Sequence, residues 1–433
     1  MAPFFWTQKQ DIGPTSRMRS GVSYDLARQR VVLFGGDPGG PPLADTWHWD
    51  GALWTQVADI GPSGRHSTAM SYDAARQAVV LFGGASGNTW SGDTWTWDGD
   101  VWTQVADTGP SPRSGHAMAY DHVRQMVVLF GGRDGGGPLG DTWEWDGTEW
   151  TQVEDVGPSA RSGHEMVFDP TAKDAVLFGG ADATGAGLGD TWTWDGTAWT
   201  QAADSGPDAR AVAGLVAAGT VVLFGGINSL DPAMSPADRI VYSDSWRWDA
   251  GAWTKVQDIG PSARWGHAMD FRSDAGRIVL FGGATTFGPA QDASLQAAVR
   301  RDTWEHTEAA AQGGGGGGGG GQPVDVSSVA VNPASASNQG DTIDVTVALT
   351  GPAPGGGENL IAAIFFDTGG GNFQVAQPPG FSLPPQPFAV PAGDSQIQFQ
   401  MVRDSNPLPA GSYVIAVARD GAQYTIGGFF TVT

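Results

Sequence analysis

The chain has 433 residues, among them 66 glycines, 28 prolines and no cysteine, and carries a formal net charge of −23. Without cysteine there is no disulfide scaffold, no thiolate metal site and no cysteine nucleophile. The acidic surface, with lysine only at Lys9, Lys173 and Lys255, repels phosphate backbones and anionic headgroups, which argues against nucleic acid and membrane surfaces as partners.

In chain order the first element is a strand over Phe5-Trp6-Thr7-Gln8. The start lacks a charged n-region and an apolar h-region, so no secretory signal peptide is expected. No run approaches the roughly 20 apolar residues of a membrane helix. Six repeats follow. Leu-Phe-Gly-Gly ends at Gly36, Gly84, Gly132, Gly180, Gly226 and Gly283, at spacings of 48, 48, 48, 46 and 57 residues. Trp-x-Trp-Asp begins at Trp47, Trp95, Trp143, Trp192 and Trp246, and a third tryptophan stands at Trp54, Trp102, Trp150, Trp199 and Trp253. Of the 19 tryptophans, only Trp90 and Trp265 fall outside the repeat positions. A period near 48 residues with four short strands predicts a propeller rather than a solenoid.

One unit reads as follows. Gly115–Tyr120 is strand a and Asp121–Arg124 a turn. Met126–Phe130 is strand b, a continuous apolar run suited to burial on both faces. Gly131-Gly132 bends the backbone, Thr142–Trp145 is strand c, Asp146-Gly147 begins a tight turn, and Trp150–Val153 is strand d. Alternation puts both indoles of Trp-x-Trp on one face, between neighbouring blades. The sixth unit has Leu280-Phe281-Gly282-Gly283 and Asp302-Thr303-Trp304-Glu305-His306 but no strand d. Trp6 matches Trp54, so the N-terminal strand is expected to complete the sixth blade and leave no open sheet edge. The paired glycines behind an apolar strand, with tryptophans spaced after them, resemble the Kelch family. The resemblance covers about 70% of the chain and implies an all-β fold, a six-bladed β-propeller over residues 1–308.

Residues 309–322 contain nine consecutive glycines, Gly313 to Gly321, and read as a flexible linker. Residues 323–433 have no tryptophan and alternate in short stretches, Val326–Val331, Thr342–Leu349, Leu360–Phe366, Gln396–Val402, Ser412–Ala418 and Tyr424–Val432. This spacing predicts a smaller antiparallel β-sandwich that resembles the immunoglobulin-like modules of bacterial surface and phage-particle proteins.

In a four-stranded blade the b–c and d–a loops emerge on one face. The b–c loops run 8, 8, 8, 9, 17 and 18 residues, and the long ones, 227–243 and 284–301, belong to blades 5 and 6. Long loops on a rigid ring are where function is expected. The d–a loop repeats Asp-x-Gly-Pro-x-x-Arg, giving Arg17, Arg65, Arg113, Arg161, Arg210 and Arg264, each six residues after Asp11, Asp59, Asp107, Asp155, Asp204 or Asp258. Such a ring could hold an anion, but a residue present in every blade reads first as structural pairing with its aspartate. Departures from the repeat carry the candidate ligand-binding set: Trp265 after Arg264, Trp90 in the blade 2 loop, and Phe287, Tyr242 and Arg301 in the long loops. Partly exposed aromatics there would stack on sugar rings or anchor a protein.

His116, His164 and His267 share one strand-a position, held by Ser20, Thr68 and Ala213 in other blades, and read as structural rather than metal-binding. Asp302 and His306 resemble part of the iron site of Kelch-type plant specifier proteins, but the glutamate four residues earlier is absent because position 298 is alanine. No metal or other cofactor is expected.

Three functions are therefore weighed. The first is a non-enzymatic recognition or adhesion module, its propeller face displayed by a flexible tether from a sandwich that docks to a larger assembly or self-associates. Its partners would be a protein or glycan, and its location extracellular or on a particle after a cytoplasmic stage. The second is a sugar-modifying enzyme similar to the Kelch-type sialic-acid mutarotases, with Arg264 and Asp302 or Glu305 as nominees. The copper radical oxidases of this superfamily need a cysteine that is absent here. The third is a spacer without ligand.

Overall fold

The computed structural model describes residues 4–10, 13–154, 156–256, 260–287 and 298–308, and ten strands between residues 326 and 432. The glycine-rich segment 309–322 lies outside the described residues. The chain divides into two compact units, the first of which is Trp6–His306.

The first unit is built from six four-stranded antiparallel sheets. Blade 1 is Gly21–Asp25, Arg30–Phe34, Thr46–Trp49 and Trp54–Ala58; blades 2 to 5 repeat that order. Blade 6 takes Ala268–Arg272, Arg277–Phe281 and Thr303–Glu308 from the end of the repeat and Phe4–Gln10 from the start. The expected closure is therefore present.

The repeat letters have separate physical jobs. Strand b alternates between two blade interfaces. Val31 and Leu33 pack with Trp49 and Trp54 against Phe281 of blade 6, while Val32 and Phe34 pack against Trp97 and Trp102 of blade 2. All four residues are at most 1% exposed, so the continuous apolar run does reflect burial on both faces. Each strand-d tryptophan lies against the phenylalanine of the preceding blade's Leu-Phe-Gly-Gly. Ring centroids are 5.2 Å apart for Trp54–Phe281, 5.5 Å for Trp102–Phe34, 5.3 Å for Trp150–Phe82, 5.0 Å for Trp199–Phe130, 5.2 Å for Trp253–Phe178 and 5.5 Å for Trp6–Phe224. Trp6 thus completes a cycle of six edge or tilted aromatic pairs. The glycine pair is needed because strand b must turn under the next blade. At Gly83 φ is +64°, and a Cβ would sit 2.6 Å from the carbonyl oxygen of Arg113.

The indole N–H groups follow the same cycle with one exception. Trp54, Trp102, Trp150, Trp199 and Trp253 donate to the threonine hydroxyl that opens strand c of the preceding blade, at 2.8–2.9 Å. At the closing junction that position is Ser245, and the buried Trp6 N–H has no partner among the described residues. A buried orphan donor costs about 1–3 kcal/mol. Ser245→Thr, which restricts the hydroxyl to the geometry used in the other blades, is expected to raise stability by about 1 kcal/mol in urea unfolding. An unchanged or lower midpoint would refute this account of the closing junction.

The second unit contains two sheets. One pairs Val326–Asn332, Thr342–Leu349, Gln396–Arg403 and Phe381–Ser382 in that order. The other runs Ser335–Ala336, Thr425–Val432, Gly411–Arg419, Glu358–Gly369 and Asn372–Val375, with Phe388–Val390 also on Glu358–Gly369.

Candidate functional site

The six repeat arginines are not a ligand-binding ring. Arg17, Arg65, Arg113, Arg161, Arg210 and Arg264 are 0–2% exposed. Asp59, Asp107 and Asp204, six residues before Arg65, Arg113 and Arg210, are exposed and are not their partners; Asp11, Asp155 and Asp258 lie outside the described residues. Each guanidinium is instead bidentate to the aspartate that opens strand c of its own blade: Asp45, Asp93, Asp141, Asp190, Asp244 and Asp302. That aspartate lies 28 to 38 residues downstream. It also accepts the N–H of the tryptophan two residues later, at 2.7 Å in every blade. Burial alone would raise these carboxyls, but the adjacent guanidinium and indole outweigh it and hold them below the usual carboxylate range. Arg264 and Asp302, nominated for binding or catalysis, are one of these clamps. Glu305, the third nominee, is 2% exposed and lies among Arg272, Arg277, Lys9 and the Trp49 indole.

Of the loop-face aromatics Trp265 is buried, while Trp90, Tyr242 and Phe287 are half-buried. Trp265 is 3% exposed, donates to the Thr286 carbonyl at 3.0 Å and lies 5.4 Å from the Phe287 ring, so it supports the blade 6 loop and offers no face to a ligand. Phe287 is capped by the Arg239 guanidinium at 3.9 Å, and Tyr242 by Arg210 at 3.8 Å. Trp90 is half-buried in a small hairpin, with its ring near Gly135 of the blade 3 loop. Arg301 is exposed. Trp265 and Phe287 are brought together; Trp90 belongs to a different sector.

His116, His164 and His267 are buried between blades, edge-on to Phe82, Phe130 and Phe224 at 5.4–5.5 Å. Desolvation, reinforced by the neighbouring arginine, pushes each down to about 3. His306 lies against Trp6 at 5.3 Å, and burial pushes it to about 3 as well. Among the described residues no three or more metal-ligating side chains cluster.

The axis of the ring holds a feature the repeat alone conceals. Arg19, Ser67, Gly115, Gly163, Val212 and Gly266 all have φ between 48° and 66°. Each donates its N–H to the carbonyl of its counterpart in the preceding blade, at 2.6–2.8 Å, in one closed cycle. On the loop side an apolar group of Met18, Ile227, Trp265, Ala284 and Val299, with Val212, Leu230 and Phe287, packs at this level. Beneath the cycle lies a cavity of about 360 Å³ lined by the six inner strands. It ends at the hydrogen-bonded residues on one side and reaches the a–b turns on the other, where Leu26, His122 and Ser273 are exposed.

Two carboxylates enter this cavity. Register equates Glu165 with Gly21, Ala69, Ala117, Gly214 and Ala268, each paired with the phenylalanine of its strand b. It equates Asp270 with Ser23, Ser71, Ala119, Val167 and Val216. Glu165 is partly open to the cavity but shielded from bulk water, and desolvation pushes its carboxyl up to about 8. Asp270 accepts the Tyr24 N–H at 2.6 Å and the Phe271 N–H at 2.7 Å; desolvation, the stronger effect, still raises it to about 6.

A model of the KLHDC2/KLHL20/DRC7 Kelch-repeats domain matches residues 54–226 and, in a shifted register, 100–283, together more than half of the chain. The chain belongs to the Kelch-repeat family. Among solved structures, that of YjhT matches with a TM-score of 0.53 and 14% identity over 68% of this chain and 96% of that one, a likeness of fold. No curated protein matches the chain significantly.

In this Kelch propeller the sequence reading missed Glu165 and Asp270. The available signal was positional. Aligning the six inner strands on Leu-Phe-Gly-Gly leaves a glutamate in a column of glycine and alanine, and an aspartate in a column of serine, alanine and valine.

Proposed function

We propose that the protein is a non-enzymatic recognition module that engages a protein partner through the blade 5 loop, residues 227–243. One observation carries this reading: the loop is internally braced while its surface stays open. Arg239 donates to the Ser229 carbonyl at 3.1 Å and to the Asp231 carbonyl, and lies over Phe287. Asn228 donates to the Asp238 carbonyl at 2.9 Å and accepts the Ile240 N–H at 3.0 Å. Leu230 N–H reaches the Gly185 carbonyl of the blade 4 loop at 2.7 Å. Ile240 is nevertheless 52% exposed. An ordered loop that no blade requires, with an exposed aliphatic anchor, loses little conformational entropy on binding. Kelch propellers generally mediate protein interactions, which supports the same reading. The second unit, read as an immunoglobulin-like sandwich, docks the propeller to a larger assembly or to a second copy outside the cell or on a particle.

The test uses the full chain, probed in parallel on a protein-domain library and a glycan array. Protein binding that weakens at least tenfold in Ile240→Asp but persists in Val123→Asp, on the a–b turns, is the expected result. Binding indifferent to Ile240→Asp removes the loop from the proposal. Glycan binding alone favours the sugar-stacking alternative, and silence on both favours a spacer.

A further inference from the structure

We propose that the central cavity is a binding site for a small organic ammonium ligand, entered from the a–b turn face and held by Glu165 with Asp270. This site is separate from the loop face and does not depend on it.

Three independent observations converge. The cavity is a shaped space bounded by the six inner strands. Its lining stops at the cycle Arg19, Ser67, Gly115, Gly163, Val212 and Gly266, and includes none of the loop-side apolar residues beyond it except Val212. At about 360 Å³ it falls in the range of small-molecule pockets.

Both carboxylates break the local rule of the repeat. The Glu165 position points toward the inner strand of the next blade: at the equivalent Gly21 a Cβ would meet the Met70 sulfur at 2.6 Å, and at Gly214 it would meet the His267 Nε2 at 2.6 Å. Small residues are therefore the packing solution. Blade 4 can carry a glutamate because blade 5 has Ala213 where the other blades have serine, threonine or histidine, which leaves room beside it. A carboxyl placed where five blades use glycine or alanine does nothing for the fold and costs desolvation.

The Glu165 carboxyl has no hydrogen-bond or ion-pair partner among the described residues. The other ionisable groups of the lining are occupied or neutral. Arg19 is paired with Asp37; the Tyr24 hydroxyl is bound to Asp274; the Tyr72 and Tyr120 hydroxyls accept backbone N–H groups of the adjacent turns. His116, His164 and His267 are held neutral between blades. His122 stands at the exposed rim. Besides Arg19 Nε and imidazole nitrogens of His116, His164 and His267, which also lack partners among the described residues, the interior holds uncompensated acceptors: a lone carboxyl, and an aspartate that still has lone pairs beyond its two backbone donors. The complementary group is a donor-rich cation. An ammonium would convert Glu165 to its charged form, so binding releases a proton.

The experiment titrates the full chain with 1,4-diaminobutane and, as the uncharged analogue of the same length, 1,4-butanediol. Calorimetry runs at pH 7.5 in two buffers of different ionisation enthalpy. The diamine is expected to bind with net proton release while the diol does not bind. Affinity should fall at least about tenfold in Glu165→Gln, which keeps the shape, and in Glu165→Ala, and should be unchanged in Glu149→Gln, an exposed glutamate outside the cavity. Equal binding of diamine and diol, equal affinity in wild type and Glu165→Gln, or no binding of the diamine overturns the proposal. Loop variants such as Ile240→Asp should leave diamine binding intact, so failure here is distinguishable from failure of the loop-face reading.

Discussion

Arg161→Ala is expected to lower the unfolding free energy by about 3–5 kcal/mol. The guanidinium is fully buried and every one of its N–H groups is used. Nε donates to the Ser159 carbonyl at 2.9 Å, Nη1 to the Gly179 carbonyl at 3.0 Å and Asp190 Oδ1 at 2.6 Å, and Nη2 to the Ser159 hydroxyl at 3.0 Å and Asp190 Oδ2 at 2.8 Å. One side chain thus ties the d–a loop, the glycine pair after strand b and the start of strand c. Truncation leaves the Gly179 carbonyl without this donor and Asp190 without its counter-charge, and the deletion cost of a buried pair comes mainly from the stranded partner. Arg161→Lys should recover less than half of the loss, because an ammonium cannot reproduce the planar fork. The double variant Arg161→Met with Asp190→Leu, which removes both charges, should be markedly more stable than Arg161→Ala. Urea midpoints at constant m-value decide the matter. A loss below about 1 kcal/mol for Arg161→Ala would reopen the reading of the arginines as a functional ring.

The second large effect is pH-dependent. Histidines at positions 116, 164 and 267 are neutral in the folded protein, with values near 3, set first by desolvation and then by Arg113, Arg161 and Arg264. Unfolded histidine titrates near 6.5. A folded value below the unfolded one means the stabilisation is complete above pH 6.5 and is lost progressively as pH falls toward 3. Between pH 7.5 and 5.5 each such histidine forfeits about 1.4 kcal/mol, about 4 kcal/mol for the three. Glu165 and Asp270 act in the opposite sense. Their folded values near 8 and 6 lie above the unfolded ones, so their contribution is present at low pH and lost as pH rises. The clamp aspartates, held low, enter only below about pH 4. The cleanest measurement is therefore a difference. The triple variant with threonine at 116, 164 and 267, a residue the fold already accepts at Thr68 with its hydroxyl on the Phe82 carbonyl at 2.8 Å, should gain about 4 kcal/mol on wild type between pH 7.5 and 5.5. Parallel stability curves for the two proteins would show that the imidazoles are not shielded.

Much of the propeller was legible because each letter of the repeat answers a local constraint that recurs six times. The apolar pentad of strand b, the glycine pair and the Trp-x-Trp alternation each state a period or a backbone angle, and the missing strand of blade 6 could be matched to Trp6 by its pattern. The arginine pairing was misread because sequence proximity favoured an aspartate six residues away, whereas folding brings in one 28 to 38 residues downstream. Among the candidate aromatics, Trp265 with its neighbour Phe287 shows a related effect. Departure from a repeat marks a difference in environment, but Trp265 and Phe287 differ because they support a longer loop, and that is a packing role.

By itself the sequence determined the propeller, its blade number, its closure by the N-terminal strand and its membership of the Kelch-repeat family, since these follow from periodicity and from the need to bury both faces of every strand b. Only the tertiary structure decided which charges are spent on the fold and which remain. Ion-pair partners, the closed cycle of backbone hydrogen bonds around the axis, and the solitude of Glu165 depend on what six separated inner strands place beside one another. Local sequence spacing carries no record of that convergence.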